Sequence, residues 1–286
     1  MKHTKVSVGF AIPSAIIYTA LLAVPILIAL ALSFVDWNGI GAMHYVGFDN
    51  FTKIFKDRVF GIAVSNTLII TVVQTLLCNV IGLAMAMLVN RSDRVTSMFR
   101  ALYFIPYVLG GVAIAFVWKV IFSYNGVLNL ILDAVGLDHL ITAFTATRTG
   151  ALICVIVVGT WSSLGYYMMI YLAALQSVPQ ELYEAATVDG ANGWNRFRRI
   201  TLPLITSGTM VSVLMSLING LKAYDLVKIM TDGGPGNLTE TIVYSIVRYG
   251  FSNNKMGYAS ALAVVLFIAI SAFSLIVLRL FQRKEG

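Results

Sequence analysis

The chain has 286 residues, of which 58% are hydrophobic and only 12% charged, and its mean hydropathy is +0.84. A water-soluble domain carries about 25% charged residues, so these values exclude one and place the chain in a membrane. The net charge of +7 requires no nucleic acid, because cations lying beside anionic lipid account for it.

Crossing the hydrocarbon takes roughly 20 mostly apolar residues. Six windows have that length: 10–34, 62–89, 101–122, 151–175, 202–221 and 258–280. Helices satisfy their own backbone in lipid, so the windows predict an all-α membrane protein with six transmembrane helices, forming one transmembrane domain over 1–286. The first window follows Lys2 and Lys5. It is longer than the ~7–15 residue apolar core of a secretion signal and ends in no small-x-small cleavage site, so it is expected to remain as a span. Pro13, Pro25 and Pro106 fall inside or at the edge of spans and predict kinks more than breaks. In the fourth window, Thr160-Trp161-Ser162-Ser163-Leu164-Gly165 has a serine between small residues but no partner histidine, which fits helix packing better than nucleophilic chemistry.

Between the fourth and fifth windows lies the most charged stretch of the chain, 177–203. Its grammar is two short helices joined at a glycine. Ser177 is placed to cap the first, Pro179 suits its first turn, Glu181, Glu184, Ala185 and Ala186 favour helix, and Gly190 ends it. So many charges require water. Further on, Asp232-Gly233-Gly234-Pro235-Gly236 marks a tight turn that carries no chemistry of its own.

Orientation follows from Lys and Arg density near the span ends. Lys2, Lys5, Arg91, Arg94, Arg100, Arg196, Arg198, Arg199, Arg279, Arg283 and Lys284 crowd short connections, whereas Lys53, Lys56, Arg58, Arg148, Lys222, Lys228, Arg248 and Lys255 are spread over longer loops. Both termini and the 177–203 segment are therefore expected in the cytoplasm, and loops 38–61, 123–150 and 222–257 outside.

Several chemistries are excluded by absence. There is no Gly-x-x-x-x-Gly-Lys-Ser/Thr loop to cradle a nucleotide. His3, His44 and His139 never cluster, and Cys78 and Cys154 lie within spans, so no metal site or disulfide framework is expected. No Asp or Glu lies well inside a span, which disfavours a proton-coupled carrier or an intramembrane protease, and Lys119 can snorkel from its span end.

The run Glu184-Ala185-Ala186, Asp189-Gly190-Ala191, then Phe197, Ile200 and Leu202-Pro203, resembles the coupling motif of permease subunits in binding-protein-dependent ABC importers. Val46-Gly47-Phe48-Asp49-Asn50-Phe51, Asn66-Thr67, Phe99 through Pro106, Asp232 through Gly236 and Met256 through Ala261 are similar to the carbohydrate-uptake branch of that family, which includes maltose, lactose, raffinose and glycerol-phosphate permeases. Within that branch the chain resembles the larger of the two maltose permease partners, without that subunit's long outer domain. The resemblance implies a type I importer permease fold, with a cytoplasmic coupling helix that docks into a cleft on an ATPase subunit. It implies a second, different permease, two ATP-binding subunits that use ATP and Mg, an extracytoplasmic sugar-binding protein, and a bacterial or archaeal cytoplasmic membrane. No cofactor is expected on this chain, and no catalytic residue.

The residues themselves suggest where a solute passes. Ser163 and Tyr166 recur with Gly159 at helical spacing on the fourth span, with Ser162 and Tyr167 adjacent, and Ser216, Asn219 and Gly220 with Ala223 on the fifth. Hydroxyls, an amide and an aromatic face suit a sugar, although the same small residues also serve helix packing. Asn66, Gln74 and Asn79 on the second span are weaker candidates. In the resembled family, the two helices that flank the coupling loop contribute to the central sugar site. The expected function is thus the transmembrane subunit of an ATP-driven sugar importer that works by alternating access. The alternative is a self-contained secondary carrier or facilitator for a small polar solute.

Overall fold

A computed structural model describes residues 13–91 and 93–282. The start of the first window, Lys2, His3, Lys5, Arg283 and Lys284 lie outside the described residues. The chain divides into two units, residues up to 61 with 245–269, and 62–244 with those from 270 onward.

In the first unit, α1 (Pro13–Leu32) is apolar on every side, as a helix bathed in lipid must be. Pro25 has no amide hydrogen to donate, and the turn Thr19–Ala23 before it widens to π geometry, so the helix bends without ending. A two-rung antiparallel ribbon, β1 (Val35–Asp36) with β2 (His44–Tyr45), leads to α2 (Asp49–Lys56) and the first turn of α3 (Arg58–Leu88). Buried Asn50 donates to the carbonyls of Ser33 (3.0 Å) and Val35 (2.9 Å), tying α2 to the end of α1. Ile54 packs on Ala261 and Leu262, with Phe51, Phe60, Tyr249 and Tyr258 around them.

The second unit is built on α7 (Arg148–Gln176), the most buried of the spans. At one end Ile70, Ile114, Val155, Val158, Val227 and Met230 form its core, and at the other Ala86, Met168, Tyr171, Leu172, Leu175 and Ile205. Helices α4 (Arg94–Val108), α5 (Gly111–Ile121) and α10 (Thr206–Leu221) pack against it; α6 (Val127–Ala134) lies between α5 and α7 in the chain. Gly165 permits the closest approach: a Cβ there would stand 2.6 Å from the carbonyl carbon of Tyr103 and 2.7 Å from Cα of Phe104. The small-residue stretch 160–165 thus serves helix packing.

Among the described residues, five helical stretches are long and apolar enough to cross a membrane, and one bent pair passes the same test when its two helices are taken together. The expected third span is not one helix. Helices α4 and α5 meet at 92°, and the break falls at Leu109–Gly110, not at Pro106, which sits inside α4. Both Leu109 and Gly110 leave the helical region (ψ 127° and 137°), and Gly110 with Gly111 removes the side chains that would hold a turn together. The fifth span also differs in extent. Leu202–Leu204 is a separate turn, α10 starts at Thr206, and the apolar run continues through α11 (Asp225–Met230). The last span is α13 (Met256–Gln282), preceded by α12 (Ile242–Val247).

Candidate functional site

A cavity of about 220 Å³ opens within the second unit, among α3, α5, α7, α10 and the start of α11. Gln74, Ser162, Ser163, Tyr167, Ser216 and Asn219 supply its neutral polar lining, and Lys222 and Asp225 lie where α10 passes into α11. Cys78 and Val155 complete an apolar part of the wall. Some of these polar groups are held by side chains of other helices and one by its own helix backbone. Asn219 Nδ2 donates to the Tyr167 hydroxyl (3.2 Å), and Ser162 Oγ to the Gly159 carbonyl (3.1 Å). Beneath them, Asn79 Nδ2 donates to Ser216 Oγ (3.0 Å), and the Tyr171 hydroxyl to Asn79 Oδ1 (2.8 Å). In a low-dielectric bundle such links fix the helices' register, because each group left unpaired would be costly.

Three of the five residues expected on a solute path, Ser163, Ser216 and Asn219, line this cavity together. Tyr166 does not. Its ring stacks on Tyr107 (centroids 4.6 Å apart, 16° between planes) and borders an apolar groove with Ala101, Phe104 and Met169. One residue along a helix turns the side chain by about 100°, so adjacent Tyr167 takes the cavity position instead. Gly220 does not line the cavity either: it is buried, and a Cβ on it would stand 2.7 Å from Cα of Thr71, so its smallness lets α3 and α10 touch. Of the weaker candidates Gln74 lines the cavity, while Asn79 is held by Ser216 and Tyr171. Asn66 is spent elsewhere, on two loop carbonyls and Arg148. Lys222 and Asp225 fall in the 222–257 loop that Lys and Arg density places outside, and the turn between α10 and α11 brings them to the cavity.

The segment 177–203 forms a pinned hairpin. Helix α8 (Gln180–Val188) starts at Pro179, which holds the N-cap position with extended backbone (φ −58°, ψ 129°). Ser177 does not cap it: its hydroxyl donates back to the Ala174 carbonyl (2.7 Å) and closes the end of α7. The far end of α8 carries a complete double closure, with Gly190 N–H to the Thr187 carbonyl (3.1 Å) and Ala191 N–H to the Ala186 carbonyl (2.9 Å). That closure needs a left-handed residue at its hinge, and Gly190 has φ +75°. Asn192 then caps α9 (Gly193–Arg196), which runs into a π turn at Phe197–Thr201. Arg196 Nη1 donates to Thr187 Oγ1 (2.8 Å), and the Tyr183 and Thr201 hydroxyls meet at 3.0 Å, locking the two short helices together. Tyr183 and Ile200 reach the core around Leu172 and Ile205, whereas Leu202 is 38% exposed and Phe197 packs on Trp194. Tyr183 and Ile200 therefore anchor the hairpin to the bundle. Glu184, Ala185, Asp189 and Gly190 are exposed, Ala186 and Ala191 half-buried, and Val188 presents 88% of its surface. Val188 is thus an exposed aliphatic side chain on a polar hairpin whose two limbs are hydrogen-bonded to each other.

Neutral polar groups gathered around a cavity between spanning helices fit a polytopic transport subunit. The comparisons agree. Over 96% of its length and 94% of the relative's, the chain is 34% identical to the "Probable starch degradation products transport system permease protein" of Thermoanaerobacterium thermosulfurigenes. It is 32% identical to the multiple sugar-binding transport system permease protein of Streptococcus mutans, over 88% and 87% of the two chains. In structure it matches a chain of a bacterial alginate ABC transporter, solved in complex with an alginate pentasaccharide-bound periplasmic protein, with a TM-score of 0.85 at 24% identity over 99% and 96% of the chains. The chain belongs to the family described as binding-protein-dependent transport system inner membrane component, matched over residues 78–285, and is a transporter's permease subunit and not an enzyme.

Proposed function

We propose that the chain is the transmembrane subunit of an ATP-driven importer for a sugar or oligosaccharide, in which the cavity is exposed alternately to the two sides of the membrane. The observation that carries the substrate class is the cavity's lining: hydroxyls of Ser162, Ser163, Tyr167 and Ser216 with amides of Gln74 and Asn219, matched to a solute that is itself mostly hydroxyl. The sugar-system names of the relatives support the same class. The whole chain, 1–286, acts as one permease domain, with 177–203 as its coupling loop.

In this reading Glu184, Ala185, Ala186, Asp189, Gly190 and Ala191 form the face that a separate ATP-binding subunit grips. ATP and Mg are used there and not on this chain. The rigidity of the hairpin is what makes the grip useful. With Arg196–Thr187 and Tyr183–Thr201 locking its two limbs and Ile200 seated in the bundle, a push on α8 moves the ends of α7 and α10 instead of deforming a loop. The assembly comprises a second, different permease, two ATP-binding subunits and an extracytoplasmic binding protein, in a bacterial or archaeal cytoplasmic membrane. Both termini of this chain and the hairpin face the cytoplasm.

Uptake by vesicles containing this chain alone, against vesicles that also contain its permease and ATPase partners, tests the proposal. Uptake is expected only in the second case, and uptake by the chain alone would establish a self-contained carrier. Glu184→Lys reverses the charge on the docking face, and Gly190→Val forces a β-branched residue to φ +75°, at about 1–2 kcal/mol of local strain. Both are expected to abolish substrate-stimulated ATP hydrolysis while the permease remains inserted. Wild-type hydrolysis in both would remove the hairpin from the mechanism.

A further inference from the structure

A second cavity, of about 370 Å³, lies wholly within the first unit and takes no part in the solute path described above. Its position is set by three span ends that converge on it. The Gly257 N–H, at the start of α13, donates to the Trp37 carbonyl beyond the end of α1 (3.2 Å). The Tyr258 hydroxyl donates to Asp57 just before α3 (3.0 Å), and Asn50 ties α2 to the end of α1. Where three spans end together the membrane surface passes, so this cavity stands at the level of lipid headgroups.

Its floor is rigid. Asp57 Oδ2 accepts from the hydroxyls of Tyr249 (2.7 Å) and Tyr258 (3.0 Å), and its Oδ1 from the Val59 N–H (2.8 Å). The two tyrosine rings stand edge to face, 4.7 Å between centroids. Lys53, on one wall, is paired with Asp49 at 2.7 Å. Besides Asp57, whose carboxylate is held by three neutral donors, two exposed charges of opposite sign line the cavity, Asp36 and Lys255, and neither has an ion-pair partner among the described residues. A neutral saccharide would remove both charges from water and return no opposite charge to either. A ligand that carries one phosphate and one ammonium group answers both.

The helix beside the cavity is built for the same surface. Around the axis of α2 the side chains fall in three sectors: Asn50 and Ile54 buried in the unit, Phe48 and Phe55 exposed, and Asp49, Lys53 and Lys56 polar. Phe48 and Phe55 are seven residues apart, hence on one face, and are 70% and 74% exposed. A helix with protein on one side, largely exposed aromatics on the next and charge on the third lies in the plane of a bilayer interface.

We infer that this cavity holds the zwitterionic headgroup of a phospholipid, of the phosphoethanolamine class, with its ammonium toward Asp36 and the tyrosine rings, its phosphate toward Lys255 and Lys53, and its acyl chains beside Phe48 and Phe55. The inference does not rest on the sugar assignment. Native mass spectrometry of the purified full-length chain, exchanged into detergent with equal amounts of phosphatidylethanolamine and phosphatidylglycerol, tests it. The wild type is expected to retain phosphatidylethanolamine preferentially. Asp36→Asn and Lys255→Gln, at exposed positions outside the helices, are each expected to weaken that retention about two- to fivefold while the lipid-free melting temperature stays unchanged. Equal retention of the two lipids, retention of neither, or variants that retain phosphatidylethanolamine like the wild type would each overturn the inference. So would displacement of the lipid by a soluble oligosaccharide in the millimolar range, which would make the cavity a sugar site.

Discussion

Asn66 offers the sharpest test of how the second unit is held together. It is fully buried, and all four of its hydrogen-bonding capacities are used. Nδ2 donates to the carbonyls of Leu238 and Glu240, both at 2.8 Å, and Oδ1 accepts from Arg148 Nε (3.0 Å) and Nη2 (2.9 Å). One side chain on α3 therefore fastens both the loop after the Asp232–Gly236 turn and the start of α7. Asn66→Leu keeps the volume and removes every partner. The buried Glu240 carbonyl loses about 1–3 kcal/mol, the partly wet Leu238 carbonyl about 0.5–1.5, and the charge-assisted pair to Arg148 about 1.5–3, for a total of about 3–7.5 kcal/mol. The loop loses two of its ties to α3 at once, so amide hydrogen exchange over 231–241 should accelerate by at least ~10-fold. Asn66→Asp separates the two halves: it keeps the acceptor for Arg148 and turns a carboxylate oxygen toward the two carbonyls. It should therefore unfasten the loop while leaving the start of α7 protected. Exchange in the loop unchanged in both variants would refute the argument.

Gly165→Ala forces a methyl group against the Tyr103–Phe104 backbone and should lower stability by about 1–3 kcal/mol, whereas Gly61→Ala, with nothing within 4 Å, should be neutral or slightly stabilising in the same thermal melt. In sugar-uptake assays Asn219→Leu should weaken apparent affinity about two- to tenfold, the value of one or two neutral hydrogen bonds, while Tyr166→Phe keeps its stack on Tyr107 and should change affinity less than about twofold. Equal effects would return Tyr166 to the solute path. Burial pushes the Asp57 carboxyl up, but hydrogen bonds from Tyr249, the Val59 amide and Tyr258, with the charge of Arg248, outweigh it and hold the group below its ordinary value. A carboxyl depressed in the folded state stabilises above its unfolded value near ~3.9 and loses that contribution as pH falls through the folded value. Melting temperatures taken from about pH 6 to about pH 3 should therefore fall less steeply for Asp57→Asn than for the wild type, and parallel curves would contradict this.

The spans were legible because the bilayer imposes one demand, about 20 apolar residues in a row, that composition alone can reveal. The end of the first short helix was legible for a related reason: its closing glycine is local chemistry, and Gly190 acts within four residues of itself. Ser177 shows the limit of that reading, since a serine at a boundary can close the helix before it or open the one after, and only the fold decided for α7. What only the tertiary structure decided is which side chain faces which helix. Tyr166 and Tyr167 are neighbours of one type, and a rotation of about 100° sends one to the cavity and the other to a stack on Tyr107. Gly220 and Asn66 look like solute-path residues by their size and polarity, yet each answers to a partner far away in the chain, Thr71 for the first and Leu238, Glu240 and Arg148 for the second. The sharp turn between α4 and α5 was hidden for a similar reason: proline announces a bend, but the chain turns where Gly110 and Gly111 leave the backbone free and Asp225 lies 3.5 Å from where a Cβ of Gly111 would stand. Hydrophobic length is a property of the segment itself, whereas cavity, bolt and bend depend on pairs of residues that sequence order keeps apart and only packing brings together.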